Sequence, residues 1–157
     1  MKALKRICIP LLFLLMVMGL VACGQPKEPV DVAAFEDACA NSGIAFTMYD
    51  LSASSGIKEA TAVSVALADE YQVEFYVFDT ANSAQYYFNN LKNQIVGGRH
   101  MFSSKTEVNL SNYKKYTQSA DGLYGAVTLI DNTVLFTIDV PEGAKASIKD
   151  LFDTLGY

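Results

Sequence analysis

Residues 72–96 read QVEFYVFDTANSAQYYFNNLKNQIV, and the change of period inside this stretch decides the fold. Gln72 to Phe78 is dense in aromatic and β-branched residues, the composition of a strand. Beyond Asp79 the spacing changes: Ala84, Tyr87, Phe88, Leu91 and Ile95 recur at helical intervals. One face of a helix over about Asn82 to Val96 is therefore apolar, and Gly97-Gly98 ends it.

Working outward toward the N-terminus, Ala60 to Ala68 alternates, with Thr61, Val63, Val65 and Leu67 on one side. It reads as a strand, its alanines leaving a helix as the alternative. Leu51 to Lys58 is a loop and Ile44 to Tyr49 a strand. Asp31 N-caps a first helix that turns Val32, Phe35, Ala38 and Cys39 inward and stops at Gly43. Toward the C-terminus, strands are expected at Lys105 to Leu110 and Asn112 to Gln118. Leu123 to Ile130 and Thr133 to Val140 then flank Asp131-Asn132, a tight hairpin in which both turn residues tolerate positive φ. Pro141 opens a last helix with Ala144, Ile148, Leu151, Phe152 and Leu155 inward and Gly156 at its end.

The order is α-β-β-β-α-β-β-β-β-α. Such runs of strands separated by helices imply an α+β domain, an antiparallel sheet covered on one face by helices. Phe75 to Leu91 and Phe136 to Leu151 each run strand into helix, so a duplicated ββα unit is one reading of this order.

The first 22 residues have the plan of an export signal. Lys2, Lys5 and Arg6 precede an uncharged stretch from Ile7 to Leu20. Leu20-Val21-Ala22-Cys23 closes it and resembles the bacterial lipobox. The resemblance implies transfer of a diacylglycerol to the thiol of Cys23 and cleavage between Ala22 and Cys23. Two acyl chains, at about 0.8 kcal/mol per buried CH₂, would then hold the protein stably on a membrane. An uncleaved transmembrane helix fits less well, because Ile7 to Ala22 is short against the roughly 20 residues needed to span. The organisation expected is a cleaved signal at 1–22, a lipidated Cys23 with a short linker at 23–30, and one globular domain at 31–157.

The body, through YQVEFYVFD, SAQYYF, VNLSNYKKYT, LIDNTVLF and the closing LGY, is similar to small uncharacterised lipoproteins of Gram-positive bacteria. That resemblance implies the outer face of the plasma membrane as the location and brings no activity with it.

Without residues 1–22 the chain keeps 9 basic and 17 acidic residues, a formal charge of −8. That balance argues against nucleic acid as a partner and against electrostatic docking on anionic lipid. Cys8 leaves with the signal and Cys23 is taken by lipid, so Cys39 has no disulfide partner. Its helical spacing from Val32 and Phe35 makes it a buried small hydrophobe.

Catalytic equipment is thin. The one histidine, His100, lies in GGRHMFSS with Ser103 and Ser104 nearby, but no G-x-S-x-G is present. Gly97 and Gly98 beside Arg99 and His100 could instead expose backbone N–H groups to an anion, against the plainer reading of a helix end followed by a basic loop. No motif of metal ligands occurs, and no cofactor or catalytic residue is assigned. Among the acids, only Glu74 and Asp79 have aromatic neighbours; Glu74 shares a strand face with Tyr76 and Phe78, which reads as a packing face. The tyrosines Tyr113, Tyr116 and Tyr124 would form a recognition surface if exposed, and core cover otherwise.

Two functions remain. The first is a non-catalytic envelope module that binds an envelope protein or polymer; the second is a small envelope hydrolase whose site the sequence hides.

Overall fold

The computed structural model describes residues 26–97 and 104–157. Strands β1 (Thr47–Asp50), β2 (Ala60–Leu67), β3 (Gln72–Phe78), β4 (Ser104–Asn109), β5 (Tyr113–Ala120), β6 (Leu123–Ile130) and β7 (Thr133–Pro141) form one sheet. Its order is β1-β2-β3-β7-β6-β5-β4, and every neighbouring pair is antiparallel. Helices α1 (Val32–Asn41), α2 (Ala81–Gly97) and α3 (Lys145–Thr154) complete the order α-β-β-β-α-β-β-β-β-α. Residues 60–67 are a strand, so the helical alternative for that segment falls away.

The helices cover both faces of the sheet, where the sequence suggested one. On β3, Val73 and Phe75 face Phe35 of α1 and Ile148, Leu151 and Phe152 of α3. Tyr76 and Phe78 face the other way, onto Ala84, Phe88, Leu91 and Ile95 of α2. The physical reason is visible in the central strands: β3, β6 and β7 are apolar on both sides and would expose a layer if only one were covered. The two ββα stretches thus share an order of elements, but their helices take opposite faces.

Local signals place the ends. Asp31 Oδ1 accepts the Ala34 N–H at 2.8 Å, the N-cap expected of it. The Thr80 hydroxyl does the same for Ser83 N–H at 3.1 Å before α2. Pro141 does not open α3. It is the last residue of β7, paired with Leu123, and its carbonyl accepts the Ala144 N–H of a turn that precedes Lys145. Ile44 likewise stands outside β1, in a turn where its carbonyl accepts the Phe46 N–H. In the β6–β7 hairpin Asp131 takes positive φ, 52°, while Asn132 does not. Asn132 instead clamps the end of β3, its side-chain amide donating to Phe78 O at 2.8 Å.

The C-terminus closes on a Schellman arrangement. Gly156 has φ 80°, its N–H reaches Asp153 O, and the Tyr157 N–H reaches Phe152 O. This turns Tyr157 back into the core between β3 and β7.

Candidate functional site: two open grooves

Leu20, Val21, Ala22 and Cys23 lie outside the described residues, as do Gly98, Arg99, His100 and Ser103. The chain is fastened to the domain from Lys27 onward. Asn112 Nδ2 donates to Lys27 O at 2.7 Å, the Lys27 ammonium donates to Gly156 O, and the same ammonium stands 4.1 Å from the centre of the Tyr113 ring. The linker therefore enters at the end of the sheet that carries the β4–β5 and β6–β7 turns and the C-terminus.

Tyr113, Tyr116 and Tyr124, which would be a recognition surface only if exposed, are core cover. All three are under a tenth exposed. Tyr113 and Tyr124 face the core under α1 and α3, and Tyr116 faces α2, its hydroxyl donating to Gln118 Oε1 at 2.8 Å. The exposed tyrosines are Tyr49, at 46%, and Tyr86, at 70%. Their periodicity gave a warning for Tyr86 alone, which falls off the apolar stripe of α2.

Tyr86 stands at one groove. The loop after β1 and the first half of α2 enclose about 540 Å³, with Ile57, Phe78 and Tyr87 as the apolar part and Asn82, Ser83 and Asn90 as the polar part. The Tyr87 ring packs against Tyr76 and Phe78, centroids 4.8 and 5.2 Å away. An aromatic edge beside side-chain amides suits a ligand with both apolar and hydrogen-bonding surface.

The second groove lies on the opposite face. Here α1 and α3 sit over β2, β3 and β7, and β4 and β5 extend beyond them as an open floor beside α3. Ser104, Thr106, Thr117 and Ser119 line that floor, Lys145, Lys149 and Asp153 the α3 wall, and the space is about 500 Å³. Lys115 projects from the floor, donating to Tyr157 O at 3.0 Å and standing 3.9 Å from Asp153 Oδ1. Burial moves its pKa down, while Asp153 acts the other way.

Glu74 and Asp79 are not brought together: five residues along β3 separate them by roughly 17 Å. Glu74 accepts from Gln72 Nε2 and the Tyr76 hydroxyl, and burial raises its pKa. Beside them Tyr76 and Phe78 are buried, so this strand surface is a packing face. Cys39 is fully buried, its thiol pushed up to about 12 by desolvation and then by Glu36. Such a thiol is inert rather than nucleophilic. Among the described residues, no three His, Cys, Asp or Glu side chains gather where they could hold a metal ion, and no helix is long and apolar enough to cross a membrane.

No model of a known protein family matches the chain, and no curated protein matches it either. Among solved structures, a GTP binding regulator from Thermotoga maritima is similar in fold, with a TM-score of 0.50. It is 14% identical and the match covers 83% of this chain and 91% of that one. At that identity the likeness is one of fold.

Proposed function

We propose that this chain is a bacterial lipoprotein, cut between Ala22 and Cys23 and held on the extracytoplasmic face of the cell membrane by a diacylglycerol on Cys23. Its domain, on this reading, binds an envelope protein or polymer and does not transform it. The observation that carries the proposal is the position of the lipobox cysteine four residues before Lys27, the residue at which the linker is strapped to the domain. Four residues reach at most about 14 Å. The end of the sheet bearing Asn112 and Tyr157 would then lie against the headgroups, and the floor of the second groove would run away from them, from Lys115 to Ser104 and Ser119. The formal charge of −8 gives no help in docking to anionic lipid, so the acyl chains alone would hold it.

The anchor is tested by labelling cells with palmitate. Label should enter the protein, and Cys23→Ala should abolish it and release the domain from membranes. Unchanged labelling and fractionation in Cys23→Ala would overturn the anchor. The binding half is tested by crosslinking in intact cells, comparing the lipidated protein with Tyr86→Ala. A product that disappears in Tyr86→Ala supports a binding module; no specific product from either protein counts against it.

A further inference from the structure

The surface of α2 departs from the chemistry of the chain around it. The sequence holds 17 acidic residues, yet none falls between Thr80 and Thr106. Across its 17 residues α2 carries one charged side chain, Lys92. Amides stand where charges would be expected on an exposed helix: Asn82, Gln85, Asn89, Asn90, Asn93 and Gln94. Asparagine is a poor helix former, so its repeated use here works against the stability of the helix. Propensity does not account for this composition.

Part of it faces the first groove. Asn82, Tyr86 and Asn90 follow one another at i, i+4 and i+8, a row along one side of α2, and all three line that groove. The row spans about 12 Å. Tyr86 is 70% exposed, and an amide stands one turn from it on either side. Gln85 and Asn89, on the neighbouring row, bond to each other at 3.2 Å. The side-chain amides of Asn82 and Asn90 are exposed and, among the described residues, have no such partner. Each therefore keeps an NH₂ donor and a carbonyl acceptor for a ligand. The loop after β1 contributes Ile57 to the apolar part and Lys58 and Glu59 to the rim, one charge of each sign.

An exposed ring with unengaged amides on both sides matches the surface of a sugar. A sugar ring has an apolar C–H face that can stack on an aromatic side chain. Around it runs a rim of hydroxyls, each both donor and acceptor, which an amide can serve in pairs. A charged ligand would meet no net charge here. A protein partner is favoured by a contiguous apolar centre, and Tyr86 is the one exposed large apolar side chain among the described residues of this groove.

We propose that the groove between the β1–β2 loop and α2 binds an uncharged glycan chain, with one sugar ring stacked on Tyr86 and hydroxyls of that ring and its neighbours on Asn82 and Asn90. The proposal rests on the binding reading above and names its ligand class; it does not need the anchor.

The test is calorimetric titration of the full chain with chitotetraose, in a detergent that has no sugar headgroup. This probe is uncharged and offers C–H faces, hydroxyls and acetamido groups. Saturable binding is expected, with the same affinity at low and high salt because no ion pair is formed. Tyr86→Ala should weaken it by about tenfold, and Tyr86→Phe, which keeps the ring, by no more than about twofold. Asn82→Ala with Asn90→Ala should also weaken it by about tenfold, at an equal or higher melting temperature, since alanine is the better helix former. Absence of saturable binding, or equal binding by Tyr86→Ala or by the double asparagine variant, would overturn the proposal. So would an affinity that falls steeply with salt. Crosslinking in cells separates this failure from that of the wider reading. A Tyr86-dependent protein product without glycan binding would remove the glycan and leave the binding module standing; neither product nor glycan binding would remove both.

Discussion

The ring of Tyr157, the final residue, meets the ring of Phe75 edge to face, centroids 6.1 Å apart and planes at 83°. The chain's end is thereby part of its core, and the phenol completes the contact with a 2.5 Å hydrogen bond to the Thr133 hydroxyl. Tyr157 is 1% exposed, in a cluster that includes residues of α1, α3 and the central strands.

Truncation at Gly156, or Tyr157→Ala, should therefore destabilise the domain by about 3–5 kcal/mol, the range for removing a buried aromatic ring. Tyr157→Phe keeps the ring and loses the hydroxyl's bonds to Thr133 and to the Val30 backbone, which should cost about 1–2 kcal/mol. Urea unfolding of the three proteins measures this. Equal midpoints for wild type and Tyr157→Ala would show that the closing residue is not part of the cooperative core.

Alkaline pH should unfold the domain through the same region. Burial pushes the phenols of Tyr124 and Tyr157 from 10.0 to about 12 and the Cys39 thiol from 9.0 to about 12. A pKa raised by folding means that the protonated form is the one the core accepts. The stability this reflects is intact below the unfolded pKa and is lost as pH climbs through the folded value. Decline should begin near pH 9 with Cys39 and steepen from pH 10 to 12, with each phenol contributing about 3 kcal/mol. Circular dichroism across that range, with phenolate absorbance alongside, reads both events. Tyrosine ionisation at ordinary pH with the fold intact would contradict it.

The order of the elements was legible because each helix has a clear apolar stripe and each hairpin a turn signal. The placement of helices on both faces was not read, although its signal was there: QVEFYVF and LYGAVTLI are apolar at nearly every position, as strands buried on both sides must be. Tyr113, Tyr116 and Tyr124 alternate with polar residues, which left a recognition surface open beside core cover; helices on either side make them core cover. The groove beside α3 could not be read at all. Its floor depends on the β4–β5 register and its wall on α3, some 30 residues further along the chain, and single-sequence patterns carry neither relation. Asp121-Gly122 was a turn signal left unused: both residues have positive φ, 55° and 76°, and they join β5 to β6.

Glu74 is a local strain on this fold at neutral pH. Burial raises its pKa, so the ionised form is disfavoured and stability falls as pH rises through the folded value. Gln72 Nε2 and the Tyr76 hydroxyl both face it, and that hydroxyl can accept as well as donate. Glu74→Gln should therefore stabilise the domain by about 1 kcal/mol at pH 7, with the gain disappearing near pH 4. Melting curves at the two pH values measure it. A gain equal at both, or a loss at pH 7, would mean that the carboxylate is needed in its charged form.

Thr128 makes the opposite kind of test, on a polar group that nothing satisfies. It is fully buried on β6, and its hydroxyl has no hydrogen-bond partner among the described residues. It sits across from Lys115 on β5 and Leu135 on β7, in the centre of the sheet. A buried hydroxyl without a partner costs about 1–3 kcal/mol, and valine has nearly the same shape without that penalty. Thr128→Val should raise the urea midpoint, worth about 1 kcal/mol after any loss of packing. If Thr128→Val instead destabilises the domain, the hydroxyl has a partner in solution. Lys115 across the strand pair would then be the first group to examine, by asking whether Lys115→Met abolishes the difference between threonine and valine.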